Sequence, residues 1–132
     1  MSSERLQTLA HRVMIIGFEG HTAPSEALDL VRAGVGGVIL FARNLDPDPA
    51  TGPARCKALL DALHGRFSGE RTLAVAIDQE GGAVSRLRPW VGATPSLRRI
   101  WTGQGAAGCE AWGRMWGEGL ALLGFNVDFA PV

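Results

Sequence analysis

The chain has 132 residues, 46% of them hydrophobic and 20% charged, with 13 basic side chains against 13 acidic ones. That composition and length suit one soluble globular domain and exclude a disordered chain. Zero net charge, with no basic run longer than Arg98-Arg99, argues against a nucleic-acid partner, and no apolar run nears the ~20 residues of a membrane span.

The N-terminal residues, Met1 to Arg12, are polar and mixed in charge, unlike a signal peptide, which points to the cytoplasm. Val13–Gly17 is then the first short apolar run and reads as a strand. A helix is predicted over Ser25–Ala33, with Ser25 as N-cap, Glu26 in the first turn and Gly34 as the left-handed residue after its end. Gly37–Phe41 reads as the second strand. The second helix, Ala54–Phe67, places Cys56, Leu59, Leu60, Leu63 and Phe67 on one face. Leu73–Ile77 follows as the third strand. The third helix, Ala106–Leu123, aligns Trp112, Met115, Trp116, Leu120 and Leu123, and Phe125–Ala130 is the fourth strand.

Strands that are apolar without alternation are covered on both faces, as in a parallel sheet, so the order β-α-β-α-β-α-β predicts an α/β fold. An open doubly wound sheet and part of an eight-stranded (β/α) barrel both fit this pattern. The last strand is followed only by Pro131 and Val132, with no covering helix. That favours an incomplete barrel, about four strands and three helices, forming a single partial domain over 1–132.

The segment Ile77-Asp78-Gln79-Glu80-Gly81-Gly82 carries the strongest chemical signal. It sets two carboxylates and a glycine pair at the C-terminal end of a buried parallel strand, where ligands bind in such folds. Asp78 can accept hydrogen bonds from sugar hydroxyls, and Arg86, eight residues on, offers a planar fork of donors; the competing reading is a turn cap and a surface ion pair. Glu19 and Arg43-Asn44 follow the first and second strands and form a polar rim at the same end. Asp128, inside the fourth strand, faces the barrel mouth, joins a buried ion pair or lies in a solvated turn, alternatives that the sequence leaves open. Trp112 and Trp116 share a helix face that reads as core rather than a sugar platform.

Other motifs carry less. Gly103, Gly105 and Gly108 spell a dinucleotide-binding pattern with Asp128 twenty residues further on, but no strand precedes Gly103. No cofactor is expected. His11, His21 and His64 lie on separate segments without ligand spacing, and Cys56 and Cys109 read as small buried hydrophobes, so no metal is expected either.

Three segments, Gly36–Asn44, Ala76–Gly82 through Arg86, and Gly124–Val132, together resemble the N-terminal domain of family 3 glycoside hydrolases. The resemblance is strongest to bacterial β-N-acetylhexosaminidases of cell-wall recycling. It implies a (β/α)8 barrel that removes terminal β-linked N-acetylglucosamine from a small saccharide by a retaining double displacement. It also implies that Asp78 and Arg86 bind the hydroxyls of the terminal sugar. Ala83 departs from the arginine common after the glycine pair. The family's Lys-His motif, acid/base histidine and nucleophilic aspartate lie in later strands, so no catalytic residue is assigned within these residues. A missing C-terminal half, or self-association of a non-catalytic sugar-binding half-barrel, follows as the expectation for partners.

Overall fold

The computed structural model describes residues 2–131. Four parallel strands form one sheet: β1 (Ile15–Ile16), β2 (Gly37–Leu40), β3 (Ala74–Ile77) and β6 (Val127–Asp128). They lie side by side in chain order, with β2 paired along its whole length to β3 and Ile77 level with Asp128. The fold is therefore α/β with a parallel sheet, as the apolar runs predict. Val38, Leu40, Val75, Ala76 and Ile77 are all fully buried, which is why these strands show no polar alternation.

The crossovers are helical. After β1 comes α2 (Ser25–Arg32), after β2 comes α3 (Gly52–Arg66), and before β6 comes α5 (Leu97–Leu123). Cys56, Leu59, Leu60 and Leu63 of α3 are buried on one face and pack with Val31 of α2, Leu120 of α5 and the strand residues. Phe67, the residue that ends α3, packs against this core only in part. His64 Nε2 lies 2.8 Å from the Gly124 carbonyl oxygen and ties α3 to the end of α5.

The fourth strand is held by a side chain as well as by its ladder. Asn126 Oδ1 accepts from the Val75 N–H at 2.7 Å, and Nδ2 donates to the Leu73 carbonyl at 2.8 Å. One amide thus acts as an extra ladder residue at the start of β6 and sets its register against β3.

Several boundaries differ from the sequence expectations. Pro24, not Ser25, is the N-cap of α2; the Ser25 hydroxyl instead donates to Glu26 at 3.1 Å. A helix, α1 (Ser3–Val13), occupies the polar N-terminal stretch, capped where the Ser2 hydroxyl accepts from the Arg5 N–H. Among the described residues none of its side chains is buried, although Leu6, Leu9, Ala10 and Val13 recur at helical spacing along it, a signal masked by the polar residues between them. It also takes Val13 away from the first strand. Helix α5 begins at Leu97 and kinks at Gly105, whose φ of 63° is open to glycine, so the predicted Ala106–Leu123 helix is its second limb. On that limb Leu120 is buried and Trp116 and Leu123 pack on the core, whereas Met115 is half exposed.

A small hairpin was not expected. β4 (Gln79–Gly81) and β5 (Val84–Ser85) pair antiparallel directly after β3, and a short helix, α4 (Arg88–Val91), follows. Gly81 has a φ of 85°, and a Cβ there would run into the Pro95 carbonyl oxygen. The hairpin lies against 94–96, where the Gly82 N–H donates to the Thr94 carbonyl at 2.9 Å.

Candidate functional site

Asp78 is the first residue after β3, so the parallel strand delivers it to the C-terminal end of the sheet. The hairpin then turns the chain back and returns Arg86 to it: Arg86 Nη2 donates to Asp78 Oδ2 at 2.9 Å. Their side chains are 29% and 22% exposed, so the pair is partly shielded yet open to a ligand. The two residues singled out from the sequence are in direct contact.

The arginine is incompletely used. Its Nε–H is buried and has no hydrogen-bond partner among the described residues, and its guanidinium carbon stands 5.8 Å from the centre of the Phe41 ring. Phe41 ends the second predicted strand, and its ring also carries Arg43, at 4.6 Å. Arg43 in turn pairs with Glu19 at 2.8 Å, both side chains well exposed. Glu19 and Arg43 thus form the rim expected at this end.

Asn44 does not belong to that rim. It is 1% exposed and fully engaged: Oδ1 accepts from the Phe41 N–H at 2.9 Å, and Nδ2 donates to the Phe18 carbonyl at 2.9 Å and the Gly20 carbonyl at 3.0 Å. An amide offers two donors and an acceptor in one plane, which lets Asn44 knit the loops after β1 and β2 together. Its role is to hold the rim, not to line it.

Asp128 ends β6 beside the pair. Its Oδ1 accepts the Gln79 backbone N–H at 2.9 Å. Burial pushes its carboxyl above the usual range, and the charges of Asp78 and Glu80 push the same way against that hydrogen bond. It is neither in a solvated turn nor, among the described residues, in an ion pair: it is partly buried in β6 and bound by the Gln79 backbone N–H.

A cavity of about 340 Å³ adjoins this cluster, lined by Gln79, Glu80, Asp128, Trp112 and Trp116 among others. The two indoles meet edge to face, with ring centres 5.9 Å apart and planes at 78°. Trp116 packs on the core as expected, but both indole N–H groups are buried without a partner among the described residues, so this face is not plain core.

Of the remaining candidates, Cys109 lines the same cavity and the others stay apart from the site. Gly103, Gly105 and Gly108 lie inside α5, so no strand-turn-helix cradle exists at them. His11 sits on α1, with Nδ1 3.4 Å from the Ala33 carbonyl, and His21 lies in an apolar groove beside Leu28 and Leu59. Cys56 is core, its thiol pushed up to about 12 by burial, and Cys109 is half-buried; both are free. Two site elements escaped the sequence reading: the Phe41 ring, hidden within an apolar run, and the Gln79 side chain, hidden within the Asp-Gln-Glu segment.

Residues 5–132 match the glycosyl hydrolase family 3 N-terminal domain. The chain belongs to that family. It is 33% identical over 126 residues to a β-hexosaminidase of Alkalilimnicola ehrlichii, covering 90% of this chain and 34% of that protein. It superposes on a family 3 β-N-acetylglucosaminidase from Paenibacillus sp. with a TM-score of 0.81 at 31% identity, covering 96% of this chain and 24% of the other. The structure of LpqI from Mycobacterium tuberculosis gives a TM-score of 0.74 at 26% identity over 99% of this chain and 35% of that one. The chain therefore spans about a third of the length of the curated relative, and less of the Paenibacillus enzyme.

Proposed function

We propose that these residues form the first half of a (β/α)8 barrel in a β-N-acetylhexosaminidase, with Asp78 and Arg86 holding the hydroxyls of the terminal N-acetylglucosamine. The observation that carries this reading is the Asp78–Arg86 pair at the C-terminal end of the central parallel strands of a family 3 domain. Strand order supports the barrel over the doubly wound alternative: β1-β2-β3-β6 runs in one direction, whereas a doubly wound sheet reverses at its switch point. A carboxylate presents acceptors and a guanidinium presents donors, so together they match vicinal sugar hydroxyls, which both give and receive. The setting this reading implies is carbohydrate metabolism, in cytoplasmic recycling of peptidoglycan fragments. Of the described helices, none is long and apolar enough to cross a membrane.

The chemistry assigned to the family is a retaining double displacement, with a nucleophilic carboxylate and an acid/base group about 5 Å apart. In the structure Asp78 is committed to Arg86 and Asp128 to the Gln79 N–H, which suits a binding role for the first and a supporting role for the second. Titrating N-acetylglucosamine into the isotope-labelled polypeptide tests the reading. Saturable shifts at Asp78 and Arg86, absent in Asp78→Ala, are expected; shifts that persist in Asp78→Ala, or none at all, would refute it. These 132 residues alone should not cleave an aryl N-acetyl-β-glucosaminide above background. Turnover that copurifies and vanishes in Asp78→Ala would overturn the assignment of catalysis to other residues.

A further inference from the structure

Gln79 is 2% exposed, yet every polar atom it carries into the interior is used. Its Nε2 donates to Ser85 Oγ at 3.0 Å, and its Oε1 accepts from the Leu87 N–H at 3.1 Å. Ser85 and Leu87 are the two neighbours of Arg86 in the chain. One amide therefore holds the chain on both sides of the arginine, through the Ser85 hydroxyl and the Leu87 backbone N–H, while the Gln79 N–H anchors the same residue to Asp128 on β6.

The hairpin ladder is a weaker constraint. It consists of the pairs Gln79–Ser85 and Gly81–Val84, with the register shifting between them, and a two-stranded pairing this short is marginal by itself. We infer that Gln79 is the positioning residue of the site: its side-chain amide, rather than the ladder, sets the reach of Arg86 to Asp78. The consequence for sugar binding rests on the function proposed above; the geometric claim does not.

Gln79→Met tests this, because methionine keeps the length of the side chain but has neither the amide donor nor its acceptor. The readout is the Arg86 Nε–Hε resonance, assigned by its loss in Arg86→Lys. In Gln79→Met it should move to the position of an exposed arginine such as Arg114, while the methyl signals of Val38, Leu60 and Val75 stay in place. N-acetylglucosamine affinity should fall about tenfold, as for a lost charge-assisted contact. Ser85→Ala removes only one of the two grips and should move the signal part of the way; it also carries the test if Gln79→Met does not fold. An Arg86 signal unmoved in the folded variants overturns the inference; a displaced signal with unchanged sugar affinity leaves the positioning role standing and refutes the assignment of Arg86 to the sugar. A displaced Arg86 signal in a protein whose wild type binds no sugar supports the positioning role and refutes the sugar reading instead.

Discussion

Replacing Arg86 by Met separates a pair kept for the fold from one kept for a ligand. The variant loses a charge-assisted hydrogen bond between side chains 29% and 22% exposed, worth about 1–2 kcal/mol after solvent screening. It also loses the guanidinium over the Phe41 ring at 5.8 Å, worth about 0.5–1 kcal/mol. Against this, the buried Nε–H that has no partner disappears, relieving about 1–3 kcal/mol. Methionine keeps most of the apolar stem in place. The sum is centred near zero and runs from a loss of about 2 to a gain of about 1.5 kcal/mol, a few degrees of Tm either way for a chain of this length. Urea unfolding followed by tryptophan fluorescence measures it directly. The same variant should abolish the stabilisation that N-acetylglucosamine gives the wild type. A loss above about 2 kcal/mol would make Arg86 a structural strut and remove the main support for a sugar site.

Asn44→Ala is the contrasting case: three hydrogen bonds of a buried side chain go and the Phe41 N–H and Gly20 carbonyl are stranded, while the Phe18 carbonyl keeps Arg43 Nε at 3.4 Å, so a loss of about 3 kcal/mol is expected in the same unfolding assay. A loss under about 1 kcal/mol would show that the two loops are held by something else. Asp128→Asn reports on pH. The folded-state pKa of Asp128 is raised, so its favourable contribution is complete below the unfolded value and is lost as pH rises through the folded one. Asparagine retains the acceptor for the Gln79 N–H, so the variant should be the more stable above that window, and the difference should close in acid. Parallel stability curves for the two proteins would refute the burial argument. Gly81→Ala combines a φ of 85° with a Cβ driven into the Pro95 carbonyl, for which about 2–4 kcal/mol is expected. Wild-type stability would mean the hairpin can lift off 94–96 without cost.

The parts of this fold legible in the sequence are those whose burial is one-dimensional. Val38–Leu40 and Val75–Ile77 are apolar without interruption because both faces are covered, and Cys56, Leu59, Leu60 and Leu63 recur at helical spacing because one face of α3 meets the sheet. Asp78 was legible for a related reason: a carboxylate just past a buried parallel strand must emerge at its C-terminal end. The α1 helix carries the same kind of signal in Leu6, Leu9, Ala10 and Val13, but its apolar face stays exposed and its charged residues make the stretch read as polar.

What only the tertiary structure decided is where polar side chains spend their hydrogen bonds. Arg43 and Asn44 are adjacent and equally polar, yet one lies on the rim and the other is buried across three carbonyl and amide groups from two loops. Gln79 lies between two carboxylates, Asp78 and Glu80, in the sequence, and nothing there shows that its amide holds both chain neighbours of Arg86. Strand order too, which supports a barrel over a doubly wound sheet, depends on which edges meet. Apolar burial follows a period along the chain and can be read there. A polar group is satisfied by whichever partner the fold brings within about 3 Å, and that partner is often far away in sequence.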